Sequence, residues 1–576
     1  EGELSSLKNT EKARASVQDL VGKVNADEVE LPKRHHQKRG HPLEQLIDDA
    51  EHIEFAQLLH TAFGEPVKAS TLTHEQRRHV LSLMWVYRAN SDKNCCLSRV
   101  KARLTLRGDL DKRDISRMDA YAPVMHMATL RVMLAVGIQD KLCRFKQADV
   151  KSAYLTADMK RETWAKFPEG FKNEHNKEFV LPVERALYGG VDSGRCYYDH
   201  WISKHAALGF QSIHHDKCYL MLYKDGEYIK MNSHVDDTAY AQKGDALWNW
   251  YTTEISKHFE LDFQPLTYFL GVSYDIDYEQ GIIKMHQAAQ IGKMLRALKM
   301  ADCKPVSTPA PEGGKQPSMA DVTPKGECAE VDSFNMYQLL GYLNYLEGAT
   351  RPDISWALKV LSKFGAKFGP AHIKWGKHIV RYLAGTTHHG ITFRRVPANC
   401  QHKMQIFTDA SHAGDPDTCR SISGFFAKVC GNTVYWKSTF QRIVSHSSTE
   451  SELMALDKGT TLGQFVRWLM VATGMKPESP IPIFVDNKST IDIATNPVQP
   501  GRNVHVHARY FYVRDLVLEG TFAIYHLRTH SQISDLLVSY KGKPNFLRMR
   551  LLATGCAVIV HCDDPTSPWE WDESLL

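Results

Sequence analysis

Acidic residues in two separate stretches are of a type and spacing that could bind metal ions. The stretch NSHVDDTAY places Asp236 next to Asp237 inside an otherwise apolar and aromatic run. Adjacent acids often mark a solvated turn, so the pair alone is a weak signal. A third acid, Asp149, stands near the end of the strand-like stretch FKQADVKSAYL. Such carboxylates can hold two divalent cations about 3.5–4 Å apart, which stabilises both the attacking and the leaving oxygen in phosphoryl transfer.

The local sequence predicts the element that carries the acidic pair. YLMLY is followed by KDGE, an Asp-Gly hairpin signal, and then by YIKMN. The stretch TAYAQ after the acids can extend again, so we expect the pair at or beside the tip of a second strand–turn–strand. Adjacent side chains of a regular strand point to opposite faces, which favours Asp236 over Asp237 as the ligand aimed at the site. Mg²⁺ suits a site built from few carboxylates and substrate phosphates.

Length and composition bound the class of protein. A chain of 576 residues exceeds one hydrophobic core and suggests three or four domains. The content of 43% hydrophobic and 24% charged residues is typical of soluble globular proteins, and neither a membrane span nor a signal peptide is predicted. The net charge of +5 permits nucleic-acid binding without requiring it. The first residue is not Met, which fits a segment of a longer polyprotein.

The cysteines and the polar segments indicate the compartment and the domain borders. Twelve cysteines never form C-x-x-C, so zinc-ligand spacing is absent and reduced thiols in an intracellular compartment are expected. Residues 1–75 are charged and predict an extension or linker, whose basic stretch KRHHQKRGH either touches nucleic acid or is simply solvated. A Pro- and Gly-rich linker follows at 305–330. Beyond it come the helical pattern MYQLLGYLNYLEGA and, from about 400, the strand-like KMQIFTDAS.

A series of blocks in the chain resembles a known family, in the family's order. SRVKARLTLRGD, QADVKSAYLTADM, LPVERALYGGVDSGRCYY, SHVDDTAYA and YFLGVSYDI are similar to the reverse transcriptase of Ty1/copia-type LTR retrotransposons. FTDASHAGDPDTCRSISGFF, SSTESELMAL, IFVDNKST and SDLLVS resemble the ribonuclease H of that family. The resemblance covers roughly residues 80–540. It implies an α/β (α+β) fold, with a right-hand polymerase of fingers, palm and thumb followed by a ribonuclease H-like mixed α/β domain.

The resemblance also implies domain borders. Fingers and palm are expected over 76–285, thumb and connection over 286–396, and ribonuclease H over 397–545. Residues 546–576 match no block and are predicted to be a C-terminal tail.

Residue roles carry over to the positions that match the polymerase blocks. Asp149, Asp236 and Asp237 would be the metal ligands, and Tyr154 would be a steric gate against the ribose 2′-OH, with a core tyrosine as the alternative. Nucleotide binding is expected of Lys101, Arg103 and Arg195, and a primer grip of Phe269, Leu270 and Gly271. The alternative for Lys101 and Arg103 is a solvated basic strand. The alternative for the primer-grip residues is an ordinary apolar strand.

Three positions depart from the family pattern. His234 stands where the family has an aromatic residue before V-D-D. Asp192 and Gly194 replace the usual Gln and Pro. These departures leave the carboxylates intact but raise the question of reduced activity or fidelity.

The second acidic set would form the ribonuclease H site. Its expected metal ligands are Asp409, Glu452, Asp486 and Asp535, and His530 matches a histidine that assists product release or proton transfer. Glu450 is interpreted instead as an acid that complements the helix dipole.

The resemblance implies an RNA-directed DNA polymerase with ribonuclease H activity. Each site would use two Mg²⁺ ions, with Mn²⁺ as a substitute. The expected partners are an RNA template, a DNA primer, the RNA/DNA hybrid and dNTPs. Self-association or binding to an integrase is a further expectation, and no membrane binding is expected. The expected location is a cytoplasmic virus-like particle or the nucleus. The rival interpretations are an impaired or domesticated relic that binds nucleic acid or partners, and a two-metal nuclease that leaves the fingers and primer-grip blocks unexplained.

Overall fold

The chain is described by a computed structural model over residues 21, 24, 29–91, 96–400, 403–496, 507–561 and 569–572. These residues form a mixed α/β structure, as the sequence predicted. In these ranges, no helix has both the length and the apolar content that crossing a bilayer requires.

The N-terminal elements build a long hairpin that a helix covers. They are α1 (Glu44–Thr61), β1 (Val67–Lys68), α2 (His74–Arg78), β2 (Val80–Leu81), β3 (Leu83–Ser91) and β4 (Leu97–Leu106). Phe55 and Leu58 of α1 are buried in the same cluster as Ala102 and Leu104 of β4. Residues 1–75 thus contain a packed helix, which their charged composition concealed.

A six-stranded antiparallel sheet lies at the centre of the first half of the chain. The elements of this part are α3 (Arg117–Ala120), α4 (Met127–Gly137), β5 (Arg144–Val150), β6 (Trp164–Lys166), β7 (Phe179–Pro182), α5 (Ser193–Ala207), β8 (Gln211–Ser212), β9 (Tyr219–Lys224), β10 (Glu227–His234), β11 (Asp237–Lys243), α6 (Asp245–Ile255) and β12 (Leu261–Pro265). The strand order is β12-β5-β11-β10-β9-β8. Side chains alternate between the faces, so Phe145 packs with α4 while Ala148 and Val150 pack with α5 and α6. A smaller sheet has the order β1-β7-β6-β2.

A third region joins a four-stranded sheet to a group of helices. It contains β13 (Tyr268–Phe269), β14 (Val272–Asp277), β15 (Ile282–His286), α7 (Ala288–Ala297), α8 (Ala329–Ser333), α9 (Met336–Ala349), α10 (Ser355–Ser362), α11 (Pro370–Ala384) and β16 (Gly390–Arg394). The strands follow the order β13-β14-β15-β16. The proline-rich stretch before α8 crosses the surface, and Gly314 lies close against the Tyr540 ring.

The second half forms a five-stranded mixed sheet. Its elements are β17 (Met404–Ser411), β18 (Ile422–Val429), β19 (Asn432–Phe440), α12 (Ser448–Ala472), β20 (Ile481–Val485), α13 (Lys488–Thr495), α14 (His507–Leu518), β21 (Phe522–His526), α15 (Lys543–Thr554), β22 (Val558–His561) and β23 (Trp569–Asp572). The order is β19-β18-β17-β20-β21, antiparallel in the first three strands and parallel from β17 to β21. Strand β23 contributes to this core, since Trp571 stacks on Phe407 with 5.3 Å between ring centroids.

The two halves share one continuous hydrophobic core. Arg131 of α4 lies at their junction and is only 3% exposed. Its guanidinium donates hydrogen bonds to the carbonyls of Ala349 at 2.9 Å and Val434 at 3.3 Å, and it lies 3.9 Å from the centre of the Trp436 ring. Burial lowers the pKa of Arg131 to about 9, although Glu347 partly offsets this effect. A buried charge with this many partners fixes how the two halves meet.

Candidate active sites

The paired acids lie at a tight hairpin turn, as their sequence context predicted. His234 of β10 pairs with Asp237 of β11, so Val235 and Asp236 form a two-residue turn. Val235 has φ of +59°, a left-handed conformation that is costly for a β-branched residue. Strain of this kind, held by the surrounding sheet, is common at functional sites. The turn formed by Val235 and Asp236 places the Asp236 side chain at the tip of the hairpin.

Asp149 joins this pair through the strand register. Asp149 of β5 lies directly opposite Asp237 of β11, and the Val150 N–H donates a hydrogen bond to the Asp236 carbonyl at 2.9 Å. Burial, followed by the charge of Asp236, raises the pKa of Asp149. Burial together with Asp236 and Asp149 raises the pKa of Asp237 to about 6. The structure therefore places the three predicted acids close enough for their charges to affect one another.

A fourth acid extends this row and was missed by the sequence analysis. Asp262 of β12 lies opposite Asp149 on the other side of β5, and its charge contributes to the raised pKa of Asp149. Asp237, Asp149 and Asp262 thus form a row across three strands, on one face of the sheet. Only the pairing of β12 with β5 could reveal this acid.

Lys101 and Arg103 are on the solvent-facing side of β4, because Val100, Ala102 and Leu104 between and beside them are buried. The charges of both cations offset part of the rise in the pKa of Asp149, so the structure brings them towards the acids. The register places Arg88 of β3 opposite Lys101.

Aromatic rings lie between the cations of β4 and the first acidic set. Arg103 lies over Tyr188, 4.5 Å from the ring centre, and Tyr188 meets Tyr154 edge to face at 4.6 Å. The charge of Asp236 adds to burial in raising the pKa of Tyr154, which places the predicted gate near the Val235–Asp236 turn. Tyr188 was not among the predicted site residues, although its place in the ALYGG block was a signal.

Arg195 and Asp192 are engaged near the start of α5. The Arg195 Nε donates to Asp199 at 2.9 Å, and its Nη1 lies 3.4 Å from the Met118 carbonyl. Asp192 is 4% exposed and lies 3.6 Å from the Arg161 Nε. The structure directs the Arg195 side chain to Asp199, and its nucleotide-binding role stays a prediction.

The predicted primer grip is a tight hairpin docked on the central sheet. Leu270 and Gly271 form its two-residue turn, both with positive φ, while Phe269 is buried in the core. The Gln147 side chain of β5 accepts hydrogen bonds from the Thr267 and Tyr268 N–H groups at 3.0 and 3.1 Å. Gln147 is two residues from Asp149, so the hairpin lies close to the acids. A Cβ atom at Gly271 would lie 2.0 Å from the Tyr345 hydroxyl, so a side chain at this turn position would clash with Tyr345.

The second acidic set meets on the mixed sheet. Asp409 lies on β17, Glu452 near the start of α12, and Asp486 directly after β20. Their ligand oxygens lie within 4.8 Å of one another, and they are the one such group of three among the described residues. Burial, with the neighbouring carboxylates, raises the pKa of Asp409 and of Glu452 well above their usual range. The Glu452 Oε2 is buried and has no hydrogen-bond partner among the described residues. This donor set fits a hard divalent cation.

Asp535 lies beside this group but is engaged by other side chains. Its charge helps to raise the pKa of Asp409 and Asp486. Ser539 donates to one of its oxygens at 2.9 Å, and Lys541 forms an ion pair with the other. The structure thus brings three of the four predicted ligands into one group and adds Lys541, which the sequence analysis missed.

The predicted histidine lies outside the direct contacts of the acids. His530 is exposed, and its carbonyl accepts a hydrogen bond from Arg548. His526 instead contacts the Asp486 carbonyl at 3.1 Å, and Thr529 donates to the Asp486 carboxylate at 2.8 Å. Neither contact could be read from motif spacing, because β21 and β20 pair only in the folded sheet.

A comparison with known proteins finds a family match over the segment that contains the first acidic set. Residues 71–312 match the family described as reverse transcriptase (RNA-dependent DNA polymerase). The chain is 28% identical over 474 residues to the retrovirus-related Pol polyprotein from transposon TNT 1-94 of Nicotiana tabacum, covering 81% of this chain and 35% of the relative. It is 22% identical over 512 residues to the transposon Ty1-BL Gag-Pol polyprotein of Saccharomyces cerevisiae, covering 85% of this chain and 28% of the relative.

The chain spans about a third of the length of these curated relatives. A solved structure of the foamy viral protease-reverse transcriptase dRH in complex with ds DNA aligns with 91% of this chain and 74% of that one, at 10% identity and a TM-score of 0.22. The family match and the relatives confirm the resemblance seen in the sequence. The chain contains a reverse transcriptase domain over residues 71–312, and its homologues over most of its length are the Pol polyproteins of Ty1/copia-type retrotransposons.

Proposed function

We propose that this chain is an RNA-directed DNA polymerase that also cleaves the RNA strand of RNA/DNA hybrids. The observation that carries the proposal is the cross-strand pairing of Asp149 with Asp237 beside the strained turn that carries Asp236, within the segment that matches the reverse transcriptase family. In this proposal residues 76–285 hold the polymerase site and residues 397–545 hold the ribonuclease H site.

Carboxylates of the first site would hold two Mg²⁺ ions, which supply Lewis-acid stabilisation of the attacking and leaving oxygens. Lys101 and Arg103 would bind the triphosphate of the incoming dNTP through charge-assisted hydrogen bonds. The Tyr154 ring would exclude a ribose 2′-OH, and the hairpin at Phe269–Val272 would hold the primer end. Base pairing reads the template, so the protein binds backbone and duplex geometry and discriminates little between sequences.

In the second site Asp409, Glu452 and Asp486 would hold the same kind of cation. The approach of these oxygens to within 4.8 Å supports this assignment. Recognition of the RNA strand would rest on its 2′-OH groups and on the shape of the hybrid.

The polymerase is tested by dTTP incorporation on poly(rA)/oligo(dT) with Mg²⁺ or Mn²⁺. Asp236→Asn should lower the rate at least about 100-fold, because several kcal/mol of transition-state stabilisation depend on the metal site. Asp225→Asn, at the opposite end of β10, is the matched control and should stay active. An inert wild-type protein would favour the relic interpretation.

Ribonuclease H activity is measured separately, as cleavage of labelled RNA in a hybrid. Asp486→Asn should abolish cleavage, whereas Asp492→Asn on the exposed side of α13 should not. Cleavage by Asp486→Asn at the wild-type rate would reject the second site.

A further inference from the structure

The acid Asp535 lies beside the second acidic set, yet its carboxylate is held by a lysine. The Lys541 ammonium forms an ion pair with one Asp535 oxygen, and the Ser539 hydroxyl donates a hydrogen bond to the other at 2.9 Å. Both oxygens of this carboxylate are therefore engaged. The Glu452 Oε2, by contrast, is buried and has no hydrogen-bond partner among the described residues. Asp535 thus differs from Glu452, whose free oxygen is left for a ligand.

The backbone that carries Asp535 is fixed against two strands of the site. The Gln532 side chain is buried, and its amide donates hydrogen bonds to the carbonyl of Thr408 at 3.1 Å and to that of Phe484 at 3.0 Å. These two residues lie on β17 and β20, the strands that lead to the first and third acids of the set. The short 3-10 helix Ile533–Leu537 begins directly after Gln532, so the position of Asp535 is set by the sheet.

The charges of Asp535 and Lys541 both act on the other acids. Burial, followed by the charge of Asp535, raises the pKa of Asp409, and burial and the charge of Asp535 also raise the pKa of Asp486. The charge of Lys541 offsets part of the rise at Asp409. The lysine therefore reduces the repulsion among these carboxylates, as a divalent cation in the same surroundings would.

Lys541 lies where its side chain can move away while the acids stay in place. It follows the 3-10 helix and precedes α15, and the next residue, Gly542, is exposed. The Lys541 side chain is 16% exposed. Its flexible four-carbon stem allows the ammonium to reach solvent without a change in the backbone.

We propose that Lys541 competes with a second divalent cation for the Asp535 carboxylate. The first cation binds Asp409, Glu452 and Asp486 with Lys541 in place, and the second binds only when the ammonium has left Asp535. The ion pair thereby makes full occupancy of the site depend on the concentration of free cation. The inference rests on the proposed function, because it takes the second acidic set to be a site for divalent cations.

The test measures Mn²⁺ binding by electron paramagnetic resonance, with the whole chain and without nucleic acid. Lys541→Gln should bind the more weakly held Mn²⁺ ions about 3- to 10-fold more tightly than wild type, because a charge-assisted hydrogen bond no longer opposes them. Ions at the first acidic set contribute equally to both proteins and cancel in the comparison. Equal affinities in Lys541→Gln and wild type would overturn the proposal.

Two comparisons separate competition for Asp535 from a general loss of positive charge. Lys543→Gln removes the same charge at an exposed position two residues away and should bind Mn²⁺ as wild type does. In an Asp535→Asn background, Lys541→Gln should change the Mn²⁺ affinity by less than about 2-fold, since the carboxylate that both cations need is gone. A full effect in that background, or an equal effect of Lys543→Gln, would contradict competition.

Thermal unfolding shows whether Lys541 serves the site or only the fold. In EDTA, Lys541→Gln should melt below wild type, because the Asp535 carboxylate loses its cation. Saturating Mn²⁺ should remove most of this difference, since the ion then takes the place of the ammonium. Lys541→Arg keeps a cation and should resemble wild type in melting and in Mn²⁺ binding. A melting difference that Mn²⁺ leaves unchanged would assign Lys541 a purely structural role and reject the proposal.

The competition and the proposed function fail in distinguishable ways. If wild type and Lys541→Gln both leave the RNA of a hybrid uncut but Lys541→Gln binds Mn²⁺ more tightly, the ribonuclease H activity is wrong and the competition is supported. If wild type cleaves the hybrid and both proteins bind Mn²⁺ alike, the competition is rejected and the ribonuclease H site stands.

Discussion

Asp149 and Asp237 are direct cross-strand partners on the central antiparallel sheet. A cross-strand pair places both side chains on the same face, so the backbone holds two like charges together. With Asp236 at the adjoining turn, the pKa of Asp237 rises to about 6. The sheet thus keeps an arrangement that is unfavourable until cations arrive.

The raised pKa of Asp237 predicts a pH-dependent stability. A carboxyl with a folded-state pKa of about 6 and an ordinary value of 3.8 binds more protons when folded, so stability falls as pH rises from about 4 to 6. In EDTA, Asp237→Asn should therefore be more stable than wild type at pH 7.5. We expect about 1 kcal/mol, because the side chain is only half-buried and solvent screens the repulsion.

Urea unfolding at pH 4 and pH 7.5 measures this difference. At pH 4 wild type and Asp237→Asn should unfold at nearly the same urea concentration, since Asp237 is then protonated in the folded protein. An equal stability gain at both pH values would contradict the electrostatic explanation. Asp225→Asn, at the far hairpin, serves as the control.

The acids of the mixed sheet predict that metal binding stabilises the protein. Asp409, Glu452 and Asp486 crowd together, and the pKa of each is raised. Mg²⁺ should therefore raise the melting temperature of wild type, since it binds only the folded site. In EDTA, Glu452→Gln should melt about 2–4 °C above wild type, the shift expected for about 1 kcal/mol in a domain of this size.

Differential scanning calorimetry with and without Mg²⁺ checks this prediction. The Mg²⁺-induced increase should be smaller in Glu452→Gln than in wild type. Glu450→Gln, two residues earlier, is the matched control, because the Glu450 carboxylate accepts a hydrogen bond from the His446 N–H outside the group of three acids. Identical increases in all three proteins would argue against a cation at this site.

The position of Tyr188 predicts that its ring supports both the proposed triphosphate-binding residue Arg103 and the proposed sugar gate Tyr154. Its ring contacts both the Arg103 guanidinium and the Tyr154 ring. Tyr188→Leu should raise the KM for dNTP about 3- to 10-fold, because a cation–π contact is worth about 0.5–1 kcal/mol or more and the ring also supports Tyr154.

Steady-state incorporation of dTTP and UTP separates these effects. Tyr188→Phe keeps the ring and should behave like wild type. Tyr188→Leu should also incorporate UTP more readily relative to dTTP. A variant that loses only kcat, with KM and nucleotide selectivity unchanged, would assign Tyr188 a purely structural role.

The C-terminal hairpin predicts a stability effect where a tail was expected. Trp571 is 8% exposed, stacks on Phe407 and donates a hydrogen bond to the Ser531 carbonyl at 2.9 Å. Trp571→Ala should cost about 3 kcal/mol or more, since it removes a large buried ring. Trp250→Ala, at a 37% exposed position, should cost far less. Chemical denaturation of both variants gives the comparison, and equal losses would show that the hairpin does not support the core.

Family membership and the acids could be predicted because each is carried by local sequence. The motif V-D-D after an Asp-Gly hairpin predicts a turn, and alternation in KARL predicts a strand with Lys101 and Arg103 on one face. Glu452 follows from the helical pattern of SSTESELMAL. Local backbone preference and side-chain alternation are sufficient for these statements.

Other features depend on which distant segments pair, and chain-local patterns carry no signal for that. Asp262 enters the acidic row only because β12 pairs with β5, which is more than 100 residues earlier in the chain. The sequence of helix α1 has only a weakly amphipathic pattern. The helix is identified by its packing against strand β4.

The sequence by itself determined the family, the identity of the acids and the hairpin that presents Asp236, because short-range geometry specifies them. Only the tertiary structure decided that Asp237 faces Asp149 and that Tyr188 joins Arg103 to Tyr154. The physical reason is that register and packing are set by burial across the whole core, where residues far apart in the chain exclude water together.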